Sequence, residues 1–401
     1  MPGRLLSEAH VRHGNTLPVT ALQRSYGELN PPDRLLLGAG PSNVHPRVYK
    51  AFISPIVEHL DPYFSEVMEE TAELLRCVFR TRNRITFPIS GTGTAGMEAA
   101  ICNVVEPGEE VIVGTNGFFG ERMKDIIERC GGKPIPLTER WGNAIPKEAV
   151  QKALSSSKAR TVALVHAETT TGALQPLSDI AKITRQYDAL LLVDTVTSLS
   201  GCEIDIDALG IDVCFSASQK CLNCPPGMAP ITANERAMEK IRNRKTRVHS
   251  LYFDLSVIEK YWIESNRVYH HTAPILLVYA MREALRIVQE EGLEARWQRH
   301  RCNMETLTEG LEALGLEINA KENPCPSINA VLVPTGISDA RVKSTLNNEY
   351  GITVSVGLGA LRGKVLRIGL MGMNSTQRNV LLVLKSLENA LKKEGFTPKH
   401  N

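Results

Sequence analysis

Val213-Cys214-Phe215-Ser216-Ala217-Ser218-Gln219-Lys220 is an apolar run that shrinks to small residues and ends on a lysine. Upstream, Leu190-Leu191-Leu192-Val193 closes on Asp194, and the run at 84–90 closes on the turn Gly91-Thr92-Gly93-Thr94-Ala95-Gly96. Further branched apolar runs at 110–116, 161–167 and 228–232 alternate with amphipathic stretches at 96–105, 118–130, 147–155 and 177–187. Strands covered on both faces and separated by helices build a predominantly parallel sheet in an α/β layer. Functional groups in such sheets gather beyond the carboxyl ends of the strands. The glycine turn, Thr169, Asp194 and Lys220 all fall at or just past such ends.

Beyond the sheet, a helical period at 274–292 continues into 293–314, which reads as one long helix between two domains. Strands at 329–333 and 365–370 with helices at 339–349 and 375–393 suit a smaller α+β unit. The expected division is an N-terminal arm at 1–32, a large domain at 33–292 and a small C-terminal domain at 293–401.

The 401 residues are 43% apolar and 22% charged, which suits a globular chain, and the net charge of +2 argues against nucleic acid or an anionic membrane as partner. No apolar run approaches the ~18 residues of a membrane span, and no secretory segment opens the chain. Arg4, Arg12 and Arg24 beside the lone early acid Glu8 faintly suggest a mitochondrial leader, or equally an arm lying on a partner subunit. The last residues, Pro398-Lys399-His400-Asn401, are no peroxisomal address, so the cytoplasm is the default compartment. Nine mostly scattered cysteines fit a reducing compartment. Cys221-Leu222-Asn223-Cys224 lacks the second pair that zinc needs and is followed by Pro225-Pro226-Gly227, so it reads as a tight loop of small residues. His270 and His271 are read as helical neighbours that point apart, so no metal is expected.

A helix start with hydroxyls, a strand-end acid and a strand-end lysine are what a protein needs to hold pyridoxal phosphate. The first takes the phosphate, the acid keeps the pyridine nitrogen protonated, and the lysine amine condenses with the aldehyde. Each piece has a competitor. Gly91-x-Gly93-x-x-Gly96 also matches the dinucleotide fingerprint, although the next strand ends Gly114-Thr115-Asn116-Gly117 without the acid that a ribose needs. Asp194 could equally cap a helix. Arg367, inside Val365-Leu366-Arg367-Ile368-Gly369-Leu370, is either an edge-strand residue facing water or a buried fork for a carboxylate.

Together these residues resemble the class V, fold-type I aminotransferases, in the alanine–glyoxylate and serine–pyruvate aminotransferase group. The resemblance runs from Leu35-Leu36-Leu37-Gly38-Ala39-Gly40-Pro41-Ser42-Asn43 nearly to the C-terminus. It is carried by Ser90-Gly91-Thr92-Gly93-Thr94, His166-Ala167-Glu168-Thr169-Thr170-Thr171-Gly172, Val193-Asp194-Thr195-Val196-Thr197-Ser198, Ser218-Gln219-Lys220-Cys221-Leu222-Asn223, Tyr269-His270-His271-Thr272 and Leu366-Arg367-Ile368-Gly369. It implies a seven-stranded, mainly parallel sheet between helices and pyridoxal 5′-phosphate bound covalently at Lys220 with Asp194 at the ring nitrogen. Thr92, Gly93, Thr94 and Gln219 would surround the phosphate, Thr169 would meet the phenolic oxygen, and Phe119 would stack on the ring. Tyr269 and Thr272 would serve the neighbouring subunit's cofactor, which makes a homodimer the working unit. Arg367, Gly40 and His59 would meet the substrate. The implied activity is transamination from alanine or serine to glyoxylate or pyruvate.

Two departures bear on specificity. Relatives usually read Gly-His where this chain has Glu58-His59, ahead of Leu60-Asp61-Pro62. The similar ureidoglycine–glyoxylate aminotransferases typically carry glutamine and asparagine where this chain has His59 and Tyr269. The alanine or serine type is therefore favoured over ureidoglycine.

Overall fold

The computed structural model describes residues 27–399. Nearly all of the expected arm lies outside the described residues, and the architecture below is that of 34–399. Seven strands form the central sheet: β1 Ile85–Ser90, β2 Glu110–Gly114, β3 Lys133–Leu137, β4 Thr161–Val165, β5 Leu190–Asp194, β6 Val213–Phe215 and β7 Met228–Ala233. Their spatial order is β1-β7-β6-β5-β4-β2-β3. Only β7 runs antiparallel to its neighbours. Every residue of β4 and β5 is buried, as aliphatic runs covered on both faces require.

Three departures from the sequence reading have local causes. β3 went unseen because Lys133-Pro134-Ile135-Pro136-Leu137 carries two prolines. It is tolerated as an edge strand that pairs with β2 alone, where a missing N–H can lie on the open side. The helix after β1, α1, begins at Gly93 rather than Gly96 and runs to Val104. The long helix expected over 274–314 is two helices, which we call α3 (Ile275–Glu291) and α4 (Leu293–Ala313), parted at Gly292 with φ of 82°. That left-handed backbone favours glycine and ends a helix. Between α1 and these two, α2 (Phe118–Arg129) follows β2.

The C-terminal part adds β8 Ile328–Leu332, β9 Ser355–Val356 and β10 Val365–Gly369, antiparallel in the order β8-β10-β9. Its core joins Leu307 and Leu311 of α4 to Leu346, Ile368, Val380 and Leu387, and takes in Leu37 from far upstream. Residues 35–36 pair in parallel with 352–353. The segment that follows Leu37 thus starts at this second core and runs on to Lys220.

His300, on α4, is buried between two backbone groups. Its Nδ1 lies 2.7 Å from the Arg296 carbonyl and its Nε2 accepts from Gly372 N at 2.9 Å. Only the neutral ring with hydrogen on Nδ1 serves both, and burial pushes its pKa down to about 3. The folded chain therefore binds fewer protons than the unfolded chain between about pH 3 and the ordinary histidine value of 6.5. Stability from this group is full above pH 6.5 and is lost as pH falls. Asp194, whose pKa is raised, acts in the opposite sense over part of that range. Urea midpoints should fall more steeply between pH 6.5 and 4 in the parent than in His300→Gln. Equal slopes would show that His300 does not drive acid unfolding.

Candidate active site

Five strand ends, those of β1, β2, β4, β5 and β6, converge on a cavity of about 200 Å³, and a distant segment at Gly40 packs against its Lys220. Thr92, Gly93 and Thr94 line it from the start of α1, where the Thr92 side chain makes no capping bond. The first bond of that helix runs from Gly96 N to Thr92 O, at 3.1 Å. The amides of Gly93, Thr94 and Ala95 therefore have no intrahelical acceptor, the usual basis of an anion site. A side chain at Gly93 would meet the Ala217 methyl at 3.0 Å, so this position admits no larger residue without movement.

Asp194, the last residue of β5, is 3% exposed. Val196 N donates to its Oδ1 at 2.7 Å, while Oδ2 receives no hydrogen bond among the described residues. The capping reading thus accounts for one oxygen and leaves the other for a ligand. Burial pushes the carboxyl pKa up to about 7.

Lys220 lies in the turn beyond β6 rather than on the strand itself, and is 7% exposed. Its Nζ donates to the Ala39 carbonyl. Gly40, with φ of 98°, passes so close that a Cβ there would sit 2.8 Å from Lys220 Cδ and 2.9 Å from Nζ. The Ser42 amide donates to Gln219 O at 2.9 Å and the Ser42 hydroxyl to Lys220 O at 2.7 Å, which fixes the lysine's backbone. Burial first, then the nearby Arg367 cation, lowers the amine's pKa to about 8. A fraction of it is therefore neutral near pH 7, as a base or nucleophile requires.

Thr169, Phe119 and Gln219 also line the cavity. The Thr169 hydroxyl lies 2.5 Å from that of Thr197, and Gln219 Oε1 is buried with no partner among the described residues. Arg367 sits on β10, the central strand of its sheet, opposite Ala330 and Ser355. That removes the edge-strand alternative. It is 6% exposed, donates from Nε to Val356 O at 3.0 Å and from Nη1 to Thr169 O at 3.4 Å, and has no ion-pair partner among the described residues. Burial lowers its pKa to about 10. A buried guanidinium facing only carbonyls is a site for an anion.

Three candidates lie apart from the cavity. Tyr269 is 57% exposed and meets the His59 ring edge-on at 5.2 Å, while His59 Nδ1 lies 2.7 Å from Glu58 Oε1. Thr272 is exposed in the same loop. His270 and His271 occupy this loop, not a helix, and their Nδ1 atoms lie 2.7 Å apart. Cys221 and Cys224 are free and buried.

Two residues escaped the sequence reading. Arg122 of α2 lines the cavity. Glu168, 1% exposed, accepts from Phe119 N at 3.0 Å, Gly120 N at 3.3 Å, Thr170 N at 3.0 Å and the Thr170 hydroxyl. It caps α2, whose own N-cap Gly117 has no side chain and could not carry one, since a Cβ would lie 2.1 Å from Glu168 Cγ. The glycines at 117 and 120 were the available signal. Glu168→Ala should cost about 3 kcal/mol by stranding these buried donors, read as a lower urea midpoint at unchanged m. A change below about 0.5 kcal/mol would remove this role.

The family model "Aminotransferase class-V" matches residues 42–383. The chain belongs to the class V aminotransferases. It is 41% identical over 367 residues to the alanine–glyoxylate aminotransferase of Callithrix jacchus, covering 90% of this chain and 89% of that protein. It is 39% identical over 383 residues to the (S)-ureidoglycine–glyoxylate transaminase of Bacillus subtilis, covering 91% and 92%. Among solved structures, an alanine–glyoxylate aminotransferase from Nostoc sp. superposes with a TM-score of 0.91 at 46% identity, covering 93% of this chain and 99% of that one. The dinucleotide reading of the glycine turn falls with this assignment.

Membership in the class V aminotransferases implies pyridoxal phosphate, and the residues present fit it. This class V aminotransferase offers unpaired helix amides, an unpartnered Gln219 Oε1, an Asp194 oxygen without a donor and a buried amine around one cavity.

Proposed function

We propose that this chain moves an amino group from alanine or serine to glyoxylate or pyruvate, with pyridoxal phosphate held in the cavity below Lys220. One observation carries the reading: the depressed lysine amine, the raised aspartate carboxyl and an uncapped helix start surround a single cavity, with unpaired Arg367 at its margin. When bound, the cofactor supplies an aldehyde for the amino group and a cationic ring that draws electrons from the broken bond. Lys220 would be its covalent anchor. Its Nζ, buried and partly neutral near pH 7, would be the base that takes the substrate's α-proton and later gives it back.

Asp194 Oδ2 would hold the proton at the pyridine nitrogen, and burial favours a shared proton over a bare carboxylate. Thr92, Gly93, Thr94 and Gln219 would take the phosphate, Thr169 would meet the phenolic oxygen and Phe119 would stack on the ring. Arg367 receives the substrate carboxylate, and Gly40 leaves space beside the lysine side chain. His59, which lies apart from this cavity, would meet the substrate.

Tyr269 and Thr272 would complete the phosphate site of a second copy. Exposed Ile56, Leu60 and Tyr63, with Leu251, Tyr252, Val268 and Tyr269, offer apolar surface for that copy. Tyr261 OH donates to the His59 carbonyl, and the His270 ring meets Leu251 O, tying these segments together. The working unit proposed here is a homodimer, for which light scattering should give twice the chain mass.

The ureidoglycine alternative is kept by the similarity to the Bacillus subtilis transaminase. His59 and Tyr269, where the ureidoglycine–glyoxylate aminotransferases typically carry glutamine and asparagine, favour alanine or serine. Alanine, serine and ureidoglycine, each offered with glyoxylate and with pyruvate, decide between them. Alanine or serine should give the highest kcat/KM; a tenfold preference for ureidoglycine would overturn this choice.

A further inference from the structure

Arg122 is a cation that the roles above leave unused. It lies one turn into α2, half-buried, and lines the same cavity as Thr94 and Lys220. Its guanidinium carbon stands 5.0 Å from the Phe118 ring centre and 5.2 Å from that of Phe119. Nη1 donates to Thr94 Oγ1 at 3.0 Å. No carboxylate lies within ion-pair distance among the described residues. Two aromatic faces hold the group in place, yet neither neutralises its charge.

Building on the pyridoxal phosphate reading, we propose that Arg122 is a positioning residue for the cofactor's phosphate, supplying its counter-cation from within the chain and orienting the Thr94 hydroxyl. Guanidinium nitrogens only donate, so Thr94 Oγ1 must accept from Arg122. The hydroxyl's own hydrogen is then directed elsewhere, free for a phosphate oxygen at the start of α1. The other partners assigned to the phosphate, namely the helix amides, Thr92, Thr94 and Gln219, are neutral. Lys220 is committed to the aldehyde and Arg367 to the substrate. A phosphate that carries close to two negative charges at pH 7 thus meets one full positive charge of this chain, that of Arg122. The same side chain sits against Phe119, so it links the grip on the phosphate to the ring proposed to stack on the cofactor.

A phosphate-specific role separates from a merely structural one by comparing two ligands. Pyridoxal phosphate and pyridoxal differ only in the phosphate, so the ratio of their dissociation constants isolates that group. Both would be titrated into apoprotein and followed by quenching of intrinsic fluorescence, which does not depend on turnover. Arg122→Met should weaken pyridoxal phosphate binding about tenfold or more while changing pyridoxal binding less than twofold. Arg122→Lys, which keeps the charge but loses the planar fork, should recover part of the loss. The dependence of pyridoxal phosphate affinity on salt should also flatten in Arg122→Met. An unchanged ratio overturns the proposal, whether both affinities fall together or neither falls. If Arg122→Met does not fold, the ratio in Arg122→Gln decides in the same way. If the parent protein captures neither compound at Lys220, by borohydride reduction and peptide mapping, the pyridoxal phosphate reading itself fails and takes this inference with it.

Discussion

Lys220→Ala should lose amino transfer by ~10⁴-fold while the protein still folds and still binds pyridoxal phosphate without a covalent link. The residue combines two roles that one substitution removes together. Its amine is buried, has a pKa lowered to about 8, and is held by the Ala39 carbonyl within reach of the cavity. The backbone around it is fixed by Ser42 rather than by its own side chain, so truncation leaves the loop anchored. The phosphate grip at α1 lies on other residues, so the cofactor should remain bound. Borohydride followed by peptide mapping should modify the peptide containing Lys220 in the parent and nothing in the variant. Activity within tenfold of the parent would exclude Lys220 as the proton carrier. The same amine sets a pH dependence: its neutral fraction grows as pH rises through about 8, so covalent capture should speed up over that range. A flat rate from pH 6.5 to 9 would contradict a titrating lysine nucleophile.

Arg367→Ala should raise KM for the amino donor by ~10²-fold with little change in affinity for pyridoxal phosphate. The guanidinium is buried on the middle strand of its sheet, held by the carbonyls of Val356 and Thr169, with no carboxylate within ion-pair distance among the described residues. A substrate carboxylate would supply a counter-charge to a buried guanidinium, where a charge-assisted pair is strong. Arg367→Lys keeps the charge and loses the planar fork, so it should fall between parent and alanine variant. Because the Arg367 cation also helps depress the Lys220 amine, its removal should move that amine's pKa upward. Equal KM in parent and Arg367→Ala would take Arg367 out of the substrate site.

The chemistry was legible where it depended on a local pattern. Asp194 and the glycine turn announce themselves because an apolar run ending in a polar residue is a buried strand meeting a loop. Lys220 was legible for the same reason, although it stands in the turn beyond β6. The parallel sheet followed from the alternation of such runs with amphipathic stretches. β3 was missed because two prolines suppress the strand signal, and only its edge position makes them tolerable. Arg122 was missed because nothing in its own neighbourhood distinguishes it from a surface charge, and Glu168 because its signal, Gly117 and Gly120, lies some fifty residues upstream.

By itself the sequence determined which side chains close the strands and therefore which chemistry the chain could carry, since burial pattern and strand period are properties of short stretches. Tertiary structure alone decided which of those groups share a cavity. Gly40 reaches Lys220 because the preceding segment is anchored in the second core through Leu37. Arg367 is central rather than at an edge because β8 and β9 flank it. Glu168 became a cap because α2 starts above it. These contacts join residues far apart in the chain, and only the packing of whole elements around the two cores fixes them.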